Sequence, residues 1–439
     1  MASVDERLVT PAFARITISA LAYFIAIGVT VPVLPVYVED VLHGSGTTVG
    51  IVVGAFAVSA ALLRTVVGRI GDQRGRRILV LSGAAIAGVS VLGYAAADNV
   101  AWLIAMRLLT GVGEAAMFVG AATAVQDLAP TARRGEATSY FSIAVYGGLA
   151  VGPLIGETVR THWGVHAAWY TSAAFCLAAV LIAVNMPTAR PVVHHDLIGT
   201  RRRLLHPAAL RPGVVLALST TGYAGFSAFV PLYVKEIGLT SSGLVFAEYA
   251  IAVLVVRVFG ARVPDRLGSV RGASVAMTLQ ATGLFTMCAW HSATGLYVAT
   301  FVYSMGVSLL YPALFPLVVD SAPDHERSQA IATFTLFFDV SQGLGAFVLG
   351  IVVSLSSERW AFGAAGLLSL TALALLRGNV RHHIGRVDAQ APAPAEHEQR
   401  GHLDEPGGDE GSGRRGADGD ATEHGTPDDF PDGVRLTGE

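Results

Sequence analysis

The sequence predicts an all-α membrane protein of twelve spanning helices, built as two related six-helix bundles. Three observations carry this. The 439 residues are 52% hydrophobic and 14% charged, with a mean hydropathy of +0.54, against roughly a quarter charged in an ordinary soluble domain. The chain divides into twelve apolar stretches, each close to the ~20 residues that a span needs. Charged and glycine positions of the first half return, in order, in the second.

The expected spans are 14–37, 47–67, 78–97, 100–123, 137–159, 164–186, 213–234, 242–261, 272–291, 293–318, 329–354 and 359–377. Each is bounded by charge, proline or glycine. Runs this long and continuously apolar fit helices, which satisfy their backbone groups internally, better than the alternating ~10-residue strands of a barrel. Arg7 and Arg15 precede the first stretch as they would a signal peptide, but it continues through Pro32, Pro35 and Tyr37 without a small-residue cleavage pattern. A retained first helix is expected. The two cysteines, Cys176 and Cys288, fall inside expected spans, so no disulfide, zinc or thiol chemistry is implied, and no cofactor or metal.

Four segments follow: a first half over 1–186, a basic linker over 187–211, a second half over 212–380 and an acidic tail over 381–439. The formal charge of −3 hides opposed regions. From Val387 onward 14 Asp and Glu face 4 Arg, leaving this tail at −10 and the remainder at +7. Such a composition cannot bury enough apolar surface to order itself, and a disordered cytoplasmic extension is expected. Positive charge in short loops sets orientation. Counted on alternate sides of the spans, one side holds 17 Lys and Arg and the other only Arg160, Lys235 and Arg359, which places both termini and the linker in the cytoplasm.

A shift of 193 residues lays Arg64 on Arg257, Asp72 on Asp265, Gly75 on Gly268, Gly113 on Gly306, Asp127 on Asp320, Arg134 on Arg327 and Gly152 on Gly345. A constant offset marks a duplication. Two parallel six-helix halves would place a substrate site near the bilayer midplane between them.

After the second span the chain reads Gly68-Arg69-Ile70-Gly71-Asp72-Gln73-Arg74-Gly75-Arg76-Arg77, with a degenerate copy around Asp265. Gly68 and Gly75 would permit close backbone approach in a tight turn. Asp72 could cap a helix or pair across the halves, and Arg76 and Arg77 could meet lipid phosphates or a carboxylate such as Asp127. This run resembles the cytoplasmic loop signature of the major facilitator superfamily. In the fourth span, Leu103-x-x-x-Arg107-x-x-Thr110-Gly111-x-Gly113 is similar to that family's second motif, with an arginine inside the membrane. In the fifth, Gly148-x-x-x-Gly152-Pro153-x-x-Gly156 resembles the signature of its drug/proton antiporter branch, departing at Ser139 and Glu157. Small residues every fourth position also serve plain helix packing.

Ionisable residues at membrane depth are functional candidates by default. Arg107, Gly111, Glu114 and Phe118 share one helical face, with Arg107 and Glu114 about 10 Å apart along the axis. That separation suits a shared polar cavity, with proton coupling, substrate binding or a buried structural pair all open. Asp339 in the eleventh span is a further cavity candidate, and Glu248 in the eighth is expected nearer the outer headgroups.

Gly111-x-Gly113-x-x-Ala116 mimics a dinucleotide fingerprint but follows no strand. Lys235, the single lysine, precedes Glu236 and forms no phosphate loop. His194 and His195 lack nearby ligand partners. Nucleic acid is not an expected partner. The resemblance implies a non-enzymatic, monomeric transporter working by alternating access, with a small-molecule substrate, protons and the lipid bilayer as its partners, and its antiporter branch implies export against protons. A proton-coupled importer of a sugar or metabolite would share the fold. A membrane sensor would belong to another class.

Overall fold

The computed structural model describes residues 8–130, 133–186, 205–259, 267–323 and 326–390, with backbone alone from 379. Twelve long helices are described: α1 Pro11–Asp40, α2 Gly46–Arg74, α3 Arg76–Tyr94, α4 Val100–Leu128, α5 Arg134–Trp163, α6 Val165–Ala183, α7 Pro207–Glu236, α8 Gly243–Phe259, α9 Ser269–Ala289, α10 Ala293–Val319, α11 Arg327–Leu355 and α12 Glu358–Gln390. Their starts follow local chemistry. Thr10, Ser45, Asn99 and Ser292 cap α1, α2, α4 and α10 by accepting a backbone N–H three residues on, satisfying donors a helix start leaves open. Pro11 and Pro207 open α1 and α7, where a missing N–H costs nothing.

Ten of these helices are long and apolar enough to cross a membrane. The expected spans 242–261 and 272–291 are not among them. For α8, 17 residues are described, and Ser274, Thr278, Gln280, Thr282 and Thr286 dilute the hydropathy of α9. Both pack as members of the bundle.

Polar ends also extend past the apolar spans. Helix α2 continues through the charged run to Arg74, and the expected loop reduces to one residue, Gly75, with φ 91°. Gly268, its repeat mate, has φ 75°. Both occupy a region that side chains with a Cβ rarely enter, so the duplication extends to backbone conformation.

The packing repeats as well. In the first half α1 lies on α5, α3 on α4 and α2 on α4; in the second, α7 lies on α11, α9 on α10 and α8 on α10. The halves meet through α2 with α11 and through α5 with α8, which are equivalent pairs, and through α1 with α7. Of the linker expected over 187–211, residues 187–204 lie outside the described residues, as does the tail from 391; α12 is traced past 380 to Gln390.

Candidate functional site

At the end of the bundle remote from the chain termini the halves are tied together. Lys235 Nζ on α7 donates to Glu39 Oε2 at 2.8 Å and Asp40 Oδ1 at 2.7 Å on α1. Thr47 at the start of α2 donates its N–H to Ser354 Oγ on α11 at 2.7 Å. Below this the helices touch backbone to backbone. A Cβ on Gly54 would lie 2.5 Å from the Gly343 carbonyl oxygen, and one on Gly50 would collide with the Ala346 carbonyl.

Beneath that seam three ionisable groups converge. Arg64 Nη2 on α2 donates to Asp339 Oδ1 on α11 at 3.1 Å and stands 3.7 Å from Glu114 Oε2 on α4. Its guanidinium carbon lies 5.4 Å from the Phe118 ring centroid. The side chains of Arg64, Glu114 and Asp339 are 24%, 15% and 8% exposed, so water screens them weakly. Asp339 Oδ2 and Arg64 Nε are buried without a hydrogen-bond partner among the described residues. One cation thus faces two carboxylates, one from each half.

The duplication supplies a counterpart. Offset by the same 193 residues, Arg64, Phe118 and Tyr146 become Arg257, Tyr311 and Asp339, while Glu114 becomes Val307. Each arginine therefore reaches to the fifth helix of the opposite half. Arg64 finds Asp339, whereas the Arg257 guanidinium carbon lies 4.2 Å from the Tyr146 ring centroid. Among the described residues Arg257 makes no salt bridge, and its Nε is buried without an acceptor. A cation–π contact of about 1–2 kcal/mol recovers part of the several kcal/mol that desolvating a cation costs.

Arg107 does not join Glu114. Its Nε donates to the Val52 carbonyl at 3.0 Å, Nη2 to the Val53 carbonyl at 2.9 Å and Nη1 to Tyr94 Oη at 3.4 Å. The guanidinium stacks 4.6 Å from Phe56. A Cβ on Gly111 would collide with the Phe56 carbonyl, so α4 presses against α2 here and the carbonyls of α2 capture Arg107 before it can reach a cavity. The face predicted to carry Arg107, Gly111, Glu114 and Phe118 is the one α4 turns to α2. Its two ends differ: Arg107 and Gly111 clamp helices, while Glu114 and Phe118 meet Arg64. Arg64 itself is legible in the sequence as an arginine inside an expected span with an arginine at the equivalent place.

The loop motif is partly brought together. Arg76 Nε donates to Asp127 Oδ2 at 3.2 Å, and Arg77 donates to the Val184 carbonyl, joining α3 to α4 and to the end of α6. Gly68 does not make the close approach expected of it: nothing lies within 4 Å of where its Cβ would stand, whereas Gly71 lies against Leu79. Because α2 stays helical to Arg74, Gly68 faces outward from a helix rather than lining a turn. The Asp72 side chain and all of Asp265 lie outside the described residues.

In α5, Gly148, Gly152 and Gly156 are consumed by α1. A Cβ on Gly148 would lie 2.6 Å from Phe24 Cβ and one on Gly152 2.6 Å from Gly28 Cα; Pro153 Cδ lies near Gly28 as well. Glu157 is held by Arg160 at 2.7 Å beside the start of α8. Glu248 lies on α8, apart from the Arg64 cluster, with Oε2 buried and unpartnered among the described residues.

A duplicated bundle of apolar helices with an ion cluster between its halves is the architecture of a multi-pass membrane protein. The family model described as Major Facilitator Superfamily matches residues 16–269 and 213–404, and the chain belongs to that superfamily. It is 30% identical over 393 residues to an uncharacterized MFS-type transporter of Salmonella typhimurium strain LT2, covering 84% of this chain and 96% of that one. It is 26% identical over 371 residues to the uncharacterized MFS-type transporter YhhS of Escherichia coli strain K12, covering 80% and 88%. Among solved structures it resembles a bacterial homolog of the human lysosomal transporter Spinster in an inward-facing, occupied conformation, with TM-score 0.69, 14% identity and coverage of 87% and 98%. The nucleoside transporter NupG gives TM-score 0.68 at 13% identity, covering 84% and 98%. Both likenesses concern the fold.

Proposed function

We propose that the chain is a proton-coupled secondary transporter that exports a small organic molecule by alternating access, with Asp339 and Glu114 sharing the exchangeable proton and Arg64 as their counter-charge. The observation that carries this is the placement of two carboxylates from opposite halves on one guanidinium. When the halves rock, Glu114 and Arg64 travel together in the first half while Asp339 moves with the second. Parted from Arg64, Asp339 is an isolated carboxylate at membrane depth and takes a proton; returned to Arg64, it gives the proton up. The tied and glycine-packed remote end fits a state closed on that side, which the charge count assigns to the exterior. Arg76, Arg77 and Asp127, with Asp72 and Asp265, then work on the cytoplasmic face as the elements that hold and release one state of the cycle.

Export follows from the resemblance of the α5 motif to antiporters. Arg257 favours a second reading, proton-coupled uptake, because a cation without a carboxylate partner among the described residues, beside a protonatable pair, would bind an anion and a proton together. Proteoliposomes with an imposed pH gradient separate the two: export against protons and uptake with protons give substrate-driven proton fluxes of opposite sign. No substrate-driven proton flux over a broad small-molecule panel would contradict both.

A further inference from the structure

We propose that Arg257, with Tyr146 and the neighbouring tyrosines of the second half, binds the anionic group of the transported molecule, and that this molecule is an organic anion with a flat apolar body. This rests on the reading of the chain as a small-molecule transporter and holds for either direction of transport.

The comparison of the two equivalent sites carries the inference. Arg64 is matched by Glu114 and Asp339; at the corresponding places around Arg257 stand Val307 and Tyr146. Both compensating acids are therefore missing from the second site while the cation is kept. The guanidinium makes its ring contact at 4.2 Å to Tyr146 and leaves Nε without an acceptor among the described residues. A planar guanidinium fork matches a carboxylate or phosphate in two parallel hydrogen bonds, so an anion supplies the missing charge and the missing acceptors together. A cationic ligand would meet repulsion, and a neutral one would leave the charge uncompensated.

The side chain belongs to the bundle rather than to lipid. On α8, Ile251, Val255, Val258 and Phe259 are exposed, whereas Val253 is buried and Arg257 half-buried against α5. Aromatic faces adjoin it. Tyr223 and Tyr249 stack with ring centroids 5.5 Å apart and planes 27° from parallel, and Phe226 lies 5.1 Å from Tyr249. Tyr146 and Arg257 are electrostatic neighbours of both Tyr249 and Tyr311. Phe226 and Tyr249 are themselves buried in that stack, so the faces left to receive a flat apolar body by offset stacking are those of the partly buried Tyr146 and Tyr223.

The test uses the purified full chain in phosphatidylcholine nanodiscs and three carboxylates, benzoate, 1-naphthoate and indole-3-acetate, each beside its amide and amine counterpart. At least one carboxylate is expected to bind at least tenfold more tightly than its amide, with the amine weakest. Arg257→Gln should remove that preference, so that acid and amide bind alike, and Arg257→Lys, which keeps the charge, should retain part of it, a readout that stands if the glutamine variant fails to fold. An amide equal to its acid, preferred amine binding, no carboxylate binding up to roughly 10 mM, or an unaltered acid preference in Arg257→Gln would overturn the proposal. So would phosphatidylglycerol, added to the nanodiscs, abolishing carboxylate binding, since the site would then hold a lipid headgroup. Anion selectivity absent while pH-driven flux persists sinks this inference alone; anion binding present without any pH-driven flux sinks the transport reading alone.

Discussion

Asp339 and Tyr146 occupy equivalent positions in the two repeats, and each faces the arginine that the opposite half presents on its second helix. One arginine is thereby neutralised by carboxylate and the other is left with a ring. The duplicated scaffold thus carries different chemistry at two equivalent positions, a carboxylate on one arginine and a ring on the other.

Arg107 is expected to matter for stability rather than coupling. Arg107→Met removes three hydrogen bonds from a charged donor to Val52, Val53 and Tyr94, a loss of about 2–4 kcal/mol given ~1.5–3 kcal/mol for such bonds and partial compensation by the methionine. The melting temperature of the solubilised protein should fall by roughly 2–5 °C, while the folded fraction keeps the wild-type pH dependence of flux. Unchanged stability with lost pH dependence would return Arg107 to the coupling site.

The remote seam should open and close once per cycle. In a chain with Cys176 and Cys288 replaced by alanine, Thr47→Cys with Ser354→Cys places two thiols where the native hydroxyls stand 2.8 Å apart. Oxidation should stop transport at least tenfold and reduction should restore it. Undiminished transport by fully cross-linked protein would show that this end stays closed throughout.

Much of this architecture was legible in the sequence because membrane helices are specified by length and apolarity, and the duplication by a constant offset. The site was legible in its parts only. Glu114 and Asp339 stand out as acids at membrane depth, but which arginine they meet depends on how α2 and α11 approach, and that is set by Gly46, Gly50 and Gly54 packing on Gly343, Ala346 and Gly350. Helical periodicity put Arg107 and Glu114 on one face without revealing that the carbonyls of Val52 and Val53 would intercept the arginine. Gly68 misled because the apolar run ends before the helix does.

The charge asymmetry predicts the orientation, with the Gln73 end cytoplasmic. Single cysteines at Gln73 and Thr240, both exposed, should react with an impermeant maleimide on opposite sides of intact cells: Thr240→Cys directly, Gln73→Cys only after permeabilisation. Labelling of both from the same side would contradict the alternation of spans between them.

The central claim is that a proton moves on and off the Arg64 cluster as the halves rock. The most direct measurement compares pH-gradient-driven flux and substrate exchange at equal pH for wild type, Asp339→Asn and Glu114→Gln in proteoliposomes. The account predicts that Asp339→Asn loses pH-driven accumulation at least tenfold while exchange persists, and that Glu114→Gln, which leaves Arg64 to Asp339 alone, keeps coupling but moves its pH dependence to more acidic values. Wild-type accumulation by Asp339→Asn, with loss confined to Glu114→Gln, would put the proton on α4; wild-type accumulation by both would remove the cluster from proton coupling.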